Sequence, residues 1–352
     1  MNFASDNVVG ASTAVLEALM AANHGSEAAY GADASTRQAE AMLAEVFEHE
    51  VRVFLVATGT GANALALSAL TPPWGAVFCH QESHVIDDEC GAPEMFTDGA
   101  KLVGIPGPGG KFTAADLAET LTRYPRGLVK SVQPAALSVS QVTEAGTLYR
   151  LEEIAALSAV AHAHGMGVHL DGARFANAMI GLGCSAADMT WRSGVDVVTF
   201  GATKNGCLAC EAVVFFRPAD AEPFAFRRKR GGHTLSKGRL LGAQMVGYLA
   251  DGHWLANARH ANAMAQRIAA GLGGLAGVRL PWPTEANEVF VVLPDAMLAA
   301  IRQAGYSVAP WGSLSLPQGF VIAEGESFVR LVASFASRPE DIDGLVAAAR
   351  AT

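Results

Sequence analysis

The chain has 352 residues, 51% hydrophobic and only 17% charged, with 37 glycines and a formal net charge of −9. That length exceeds the roughly 250–300 residues a single hydrophobic core fills, so one large and one smaller domain are expected, and the net charge excludes a general attraction to nucleic acid or anionic lipid. No apolar run reaches the ~18 residues of a membrane span, Met1–Asp6 shows no signal peptide, and five scattered cysteines fit a reducing cytoplasm rather than a disulfide framework.

In chain order, the polar stretch Phe3-Ala4-Ser5-Asp6-Asn7 leads into an amphipathic helix from about Thr13 to Asn23. A turn-rich loop follows, with an exposed aromatic at Tyr30-Gly31. Ser35 or Thr36 then caps a helix whose apolar positions are Ala39, Met42, Leu43, Val46 and Phe47. Val51 to Val56 reads as a strand, and it feeds Thr58-Gly59-Thr60-Gly61-Ala62-Asn63 at the start of an Ala/Leu-rich helix. Free backbone N–H groups and the helix dipole make such a loop a cradle for an anion. It is not a Walker loop, since no Gly-Lys-Ser/Thr follows.

Further strands are predicted at Ala76–Cys79, Leu102–Ile105, Leu128–Gln133, Val168–Leu170, Val195–Phe200 and Ala212–Phe216. Helices lie between several of them, one capped at Thr113-Ala-Ala-Asp116 and one running from near Tyr149 to Gly165. This alternation argues for an α/β fold with a mainly parallel sheet covered on both faces. His84 follows the Ala76–Cys79 strand in a polar loop. The acidic run Asp87-Asp88-Glu89 beyond it reads as a solvated helix start, because it lacks a cation-site pattern.

Two strand ends carry one charge each: Asp171 in His169-Leu170-Asp171-Gly172-Ala173-Arg174, and Lys204, 33 residues later, in Thr199-Phe-Gly-Ala-Thr-Lys204-Asn. Ligands of open α/β sheets bind outside the carboxyl ends of the strands. An amine and a carboxylate presented there match a pyridoxal phosphate site, with a Schiff base on the lysine and the carboxylate on the pyridinium nitrogen. Cys207-Leu-Ala-Cys210 has no second pair at zinc spacing and reads as two small buried residues, so no metal is expected.

After Phe216 the composition shifts. The one basic cluster, Arg227-Arg-Lys-Arg230 to Arg239, is expected to bind an anion at a subunit interface rather than nucleic acid. Helices are predicted over Leu240–Leu255 and Ala258–Leu272. Strands near Val278–Leu280, Glu288–Leu293 and Phe328–Phe335, with helices at 295–304 and 339–350, then describe a small α+β domain. The expected division is 1–245 for the large domain and 246–352 for the small one, with the N-terminal segment packing on the latter. Arg330, early in the last apolar strand, needs a carboxylate partner, either a ligand's or a structural one.

The order Ser5-Asp6-Asn7, Tyr30-Gly31, Thr58–Asn63, His84, His169–Arg174, Lys204 and Arg330 resembles the L-threonine aldolases of the fold-type-I pyridoxal phosphate enzymes. The likeness runs from residue 3 to about 335. Thr199–Cys207 and Arg227–His233 resemble the bacterial low-specificity branch. The resemblance implies a seven-stranded, mainly parallel sheet and a small C-terminal domain. It also implies that Lys204 holds the cofactor, Asp171 pairs with its ring nitrogen and His84 stacks on its ring. Gly59 and Thr60 would take the phosphate, and Ser5, Tyr30, Arg174 and Arg330 would serve the substrate, with Arg174 also near the ring hydroxyl. A basic residue from a neighbouring subunit, Lys237 or Arg239, would complete the phosphate site.

The implied reaction is retro-aldol cleavage of L-threonine, L-allo-threonine and related β-hydroxy-α-amino acids to glycine and an aldehyde. It would take place in a cytoplasmic homo-oligomer, a dimer of dimers with active sites at the subunit interface. One departure is visible: Thr143, in Ser140-Gln-Val-Thr143-Glu144, stands where many members carry a histidine near the substrate hydroxyl, which leaves His84 or a water on Thr143 to handle that proton. Rival readings are another reaction on the same scaffold, β-elimination (tryptophanase-like) or transamination, and a non-catalytic anion- or nucleotide-binding module.

Overall fold

Short apolar runs bounded by turns become buried strands here, and the capped periodic segments between them become the helices that cover both faces. The computed structural model describes residues 1–312 and 314–351. Helices α1 (Thr13–Ala22) and α2 (Ala34–Phe47) precede β1 (Arg52–Val56) and α3 (Gly59–Leu70). Next come β2 (Gly75–His80), the short α4 (His84–Asp87) and α5 (Ala92–Phe96), β3 (Lys101–Ile105) and α6 (Ala114–Leu121). The large unit continues through β4 (Gln133–Ser140), α7 (Leu151–Ala163), β5 (Gly167–Gly172), α8 (Phe175–Leu182), α9 (Ala186–Met189), β6 (Val197–Gly201) and β7 (Glu211–Phe215).

These seven strands form one sheet in the order β1-β7-β6-β5-β4-β2-β3. Only β7 runs antiparallel, to both β1 and β6, so the other six point the same way. Their carboxyl ends therefore deliver the segments after β1, β2, β4, β5 and β6 to a single edge. The main core packs on one face around Phe47, Phe175, Phe200 and Tyr248, and smaller apolar clusters cover the other. His169, inside β5, bridges Ser138 Oγ at 2.9 Å and Thr199 Oγ1 at 3.1 Å. Burial pushes its pKa down to about 4, so it is a neutral cross-strand link.

The chain then forms α10 (Phe224–Arg230), α11 (Arg239–Leu249) and α12 (His253–Gly273). The last part contains β8 (Glu288–Pro294), α13 (Asp295–Gln303), β9 (Ala309–Pro310), β10 (Glu326–Val332) and α14 (Pro339–Arg350). Its antiparallel sheet, β8-β10-β9, has a separate apolar core into which Phe3 inserts from the N-terminus. Val332 N–H donates to the Phe3 carbonyl, which ties Ser5 and Asp6 beside β10.

Several expectations needed correction. The strand predicted at Leu128–Gln133 lies instead at Gln133–Ser140, and Val129 is fully exposed. The strand tolerates Pro134 because the β2–β4 register shifts there, where a missing N–H costs no ladder bond. The cap of α2 is Asp33, whose carboxylate accepts from Thr36 N–H at 2.8 Å, rather than Ser35 or Thr36. The helix predicted from Leu240 to Leu255 breaks at Asp251 and Gly252, both at positive φ. Val278–Leu280 reduces to one bridge, Arg279 with Val292, and the last strand stops at Val332.

Candidate active site

The turns at the shared sheet edge surround a cavity of about 460 Å³ whose wall includes Thr58–Thr60, His84, Asp171, Lys204 and Arg330. Thr58 caps α3 by accepting from Gly61 N–H at 3.1 Å. The amides of Gly59 and Thr60 lie in the first turn, ahead of any intrahelical acceptor. At Gly61 a Cβ would lie 2.2 Å from the His233 ring, so a larger residue there would displace that imidazole. The basic segment after α10 thus meets the loop within the same chain.

Lys204 sits on a 3-10 turn directly after β6. Asn205 anchors that turn through Tyr248 Oη at 2.7 Å and the Trp254 carbonyl at 2.9 Å. Gly206 follows at φ 136°, where a Cβ would press on Ser12 and Asn257. Among the described residues, no hydrogen bond or ion pair engages the Lys204 amine.

Asp171 closes β5, with Oδ1 accepting from Ala173 N–H at 2.9 Å and Oδ2 from Asn63 Nδ2 at 2.8 Å. The same Asn63 amide donates to Glu89 Oε1 at 2.8 Å, and Glu89 Oε1 lies 2.9 Å from His84 Nδ1. Glu89 is therefore not part of a solvated helix start: Asp87 and Asp88 are exposed, but Glu89 is buried behind His84. Its hydrogen bond raises the His84 pKa, against the opposing effect of burial, while burial raises that of Glu89 itself.

On the opposite side, Arg174 is committed to internal carboxylates. Its Nε and Nη2 reach Asp6 at 2.7 and 3.0 Å, and its Nη1 lies 3.2 Å from Glu288. Burial works against the Asp6 charge, yet Arg174, Lys204 and hydrogen bonds from Arg174 and Asn287 hold its pKa at about 2. Arg330 is less fully engaged. It lies 3.3 Å from Glu288, donates to the Ala4 carbonyl at 3.2 Å and packs 4.1 Å from the Trp311 ring centroid. Its buried Nε has no partner. Of the two arginines, Arg330 is the less fully paired with internal carboxylates, and so the better match for a ligand carboxylate.

Besides the exposed Asp88, two further carboxyls face the cavity, Glu144 after β4 and Glu211 at the start of β7. Burial pushes both up to about 7. An acid whose folded pKa exceeds its unfolded value of 4.5 holds its proton more tightly when folded. Its stabilising effect is complete below about pH 4.5 and is lost as pH rises through 7. The 2.5-unit difference corresponds to roughly 3 kcal/mol per group at most. The thermal midpoint of the protein is accordingly expected to fall from pH 5 to pH 8, and to fall less in Glu211→Gln. An unchanged slope in that variant would rule Glu211 out as a contributor.

The structure thus gathers Lys204, Asp171, His84, Gly59, Thr60, Ser5, Arg174 and Arg330 around one cavity. It does not bring Tyr30 or Lys237 there. Tyr30 is exposed, its N–H donates to the Ser236 carbonyl, and Lys229 lies 4.8 Å from its ring centroid. Arg239 donates to the His24 carbonyl at 2.9 Å on the same outer face. Thr143 lines the cavity but its hydroxyl is occupied by Gly109 and Thr147. Asn63, Glu89, Glu144, Glu211, Asp6 and Glu288 went unassigned in the sequence. Only Asn63 carried a readable signal, one helical turn after Gly59 and so on the same face of α3.

Comparison with known proteins follows this geometry. A family model described as beta-eliminating lyase matches residues 2–296. The chain is 42% identical over 304 residues to a low specificity L-threonine aldolase from Pseudomonas sp. (strain NCIMB 10558), covering 86% of this chain and 87% of that one. The counterpart from Pseudomonas aeruginosa gives the same figures. A solved structure of Leishmania major threonine aldolase superposes with a TM-score of 0.91 at 29% identity, covering 99% of this chain and 98% of the other. Sphingomonas wittichii serine palmitoyltransferase matches at TM-score 0.72 and 19% identity over 100% of this chain and 87% of that one, a likeness of fold alone.

Proposed function

We propose, from the premise that this chain belongs to the beta-eliminating lyase family and stands with its low-specificity L-threonine aldolases, a division of labour among the cavity residues. The enzyme is a carbon–carbon lyase: it cleaves L-threonine, L-allo-threonine and related β-hydroxy-α-amino acids to glycine and an aldehyde, with pyridoxal 5′-phosphate as cofactor. The observation that carries the reading is the convergence of an unpaired amine, a buried carboxylate, an imidazole and a helix N-terminus on one cavity.

The residues present fit the cofactor. The unengaged amides of Gly59 and Thr60 can take its phosphate, Asp171 its ring nitrogen and Lys204 its aldehyde carbon as the Schiff-base lysine, with His84 against the ring face. Bound there, it supplies an electron sink for a carbanion at the substrate α-carbon. Everything else falls to the chain. Arg330 and Ser5 hold the substrate carboxylate, which fixes the direction of the Cα–Cβ bond within the cavity. Arg174, braced by Asp6 and Glu288, keeps that wall rigid and positively charged. Asn63 orients Asp171 and Glu89 at once, and the Glu89–His84 contact fixes the imidazole. Lys204, freed when substrate binds, is placed to move the proton at Cα.

Tyr30 and Lys237 or Arg239 act from a neighbouring copy. They do not line their own cavity, which supports active sites shared across a subunit interface; the homotetramer, a dimer of dimers, is carried by the family likeness. The large cofactor domain is taken as 1–245 and the small domain as 246–352. The protein is placed in the cytoplasm; among the described residues, no helix is long and apolar enough to cross a membrane.

The test is a visible spectrum of the purified protein followed by addition of L-threonine. A yellow protein that releases acetaldehyde and glycine is expected. A yellow protein that yields a keto acid and ammonia would move the assignment to elimination, and a colourless protein that the cofactor cannot reconstitute would overturn it.

A further inference from the structure

We propose that Glu144 is the group that takes the proton of the substrate β-hydroxyl during cleavage and returns it to the aldehyde oxygen in the reverse direction. This deepens the retro-aldol reading above and rests on it. Geometry closes one of the two expected alternatives. The Thr143 hydroxyl is fully buried, donates to the Gly109 carbonyl at 3.2 Å, lies 2.8 Å from Thr147 Oγ1 and accepts from Thr147 N–H at 3.2 Å. It has no capacity left for a substrate or a water. His84 directs Nδ1 at Glu89, a bond that raises the imidazole pKa and leaves Nε2 as the rival base, which the His84→Asn variant below tests.

Glu144 is the next residue along the same turn, and its setting is different. A second cavity of about 220 Å³ opens beside the first, lined by Glu82, Trp282 and Ser315, and the two cavities share Asp88, Glu144 and Trp311. For a substrate whose amino group is at Lys204 and whose carboxylate is at Arg330, this second cavity offers room for the β-substituent, and Glu144 stands on the wall of both cavities. The carboxylate is also held in place: Oε1 accepts from His84 N–H and from Ser140 Oγ, both at 2.8 Å, while Oε2 is closed to solvent and has no protein partner. Asp88, the other carboxylate at the junction, is exposed, and no hydrogen bond among the described residues orients its side chain.

The charges facing Glu144 are His84 from α4, Asp88 just after it, Asp171 from β5, Lys204 from the turn after β6, and Arg174 and Arg330; Glu82 and Asp87 line the second cavity with it, and Cys79 and Tyr149 are close enough to feel its charge. Burial, aided by Asp171, pushes its pKa up to about 7, so it can bind and release a proton at neutral pH. In the step itself, the Glu144 carboxylate accepts the hydroxyl proton and the O–H electron pair becomes the carbonyl π bond. The Cα–Cβ bond breaks with its electron pair passing to Cα. The proton left on Glu144 is balanced, through solvent, by the one Lys204 delivers to Cα, so glycine and aldehyde form with no net proton change.

The experiment compares wild type with Glu144→Gln, which keeps the Oε1 acceptor but cannot take a proton. Threonine cleavage is expected to lose about 10²–10⁴-fold in kcat with little change in KM. Exchange of the glycine α-hydrogen in D2O, which involves no hydroxyl, should stay near the wild-type rate. Cofactor uptake by the apo protein should be unchanged, and the fall in thermal midpoint between pH 5 and 8 should be reduced. Cleavage that survives the substitution, or that falls in step with α-hydrogen exchange, overturns the proposal.

Should the variant fail to fold, wild type decides the matter. A rising limb near pH 7 in kcat for cleavage, absent from α-hydrogen exchange and retained in His84→Asn, supports Glu144. A limb shared by both reactions, absent from both or lost in His84→Asn refutes it. Wild-type protein that releases no acetaldehyde and glycine would instead refute the retro-aldol reading.

Discussion

Lys204→Ala is expected to abolish turnover and leave the fold intact. The two effects separate because the Lys204 amine takes part in no hydrogen bond or ion pair among the described residues, while its turn is held by the neighbouring Asn205 side chain and by Gly206. Removal of the amine deletes the covalent attachment point and the proton carrier at Cα together. The loss of acid–base catalysis alone is worth about 10²–10⁴-fold, so threonine cleavage should fall by on the order of 10³-fold or more. Cofactor should still bind, more weakly, through the Gly59–Thr60 amides and Asp171. Borohydride reduction should no longer fix it to the chain. Circular dichroism and the thermal midpoint should match wild type at pH 5. A variant that turns over at near-normal rate would overturn the assignment of Lys204.

Asp171→Asn should cost roughly 10²–10³-fold in kcat, the range seen when a single preorganised electrostatic contact is removed. The amide is isosteric and can still accept from Ala173 N–H through Oδ1. At the other position it presents an NH₂ group to Asn63 Nδ2, donor against donor, where a 2.8 Å hydrogen bond existed. Asn63 cannot simply flip its amide, because the same NH₂ serves Glu89. The variant therefore loses the negative charge that keeps the ring nitrogen protonated and also disturbs the Glu89–His84 pair. Loss of the Asp171 charge should lower the Glu89 pKa, since Asp171 is one of the groups raising it. Steady-state kinetics at saturating cofactor, with the visible spectrum, tests this. An unchanged kcat would show that Asp171 makes no contact that matters in the transition state.

The local chemistry of this site was readable because it depends on short-range backbone geometry. Thr58–Asn63 follows a strand and opens a helix, and such a turn exposes amides whatever the rest of the chain does. Asp171 and Lys204 end apolar runs, and parallel strands bring their carboxyl ends to one edge. The strand expected at 128–133 lies at 133–140 instead, with Pro134 inside a buried strand at a register shift, a position that only the pairing with β2 reveals. The reading of Asp87–Glu89 as uniformly solvated failed because burial differs residue by residue: Asp87 and Asp88 point to water while Glu89 contacts Asn63, 26 residues away.

By itself, then, the sequence determined the alternating α/β architecture, the anion-binding turn, the amine–carboxylate pair and the resemblance that links them to a cofactor. Those features follow from periodicity, turn chemistry and the direction of parallel strands. Only the tertiary structure decided which charges neutralise one another. Arg174 meets Asp6 across 168 positions, Asp6 meets Asn287 across 281, and Arg330 reaches Ala4 across 326. It also placed Glu144 at the junction of two cavities, with one oxygen held and the other without a protein partner. Such pairings depend on sheet register and on how the N-terminal segment docks against β10. A buried carboxylate's partner and proton affinity are set by the few ångströms around it, and no local pattern in the chain encodes that distance.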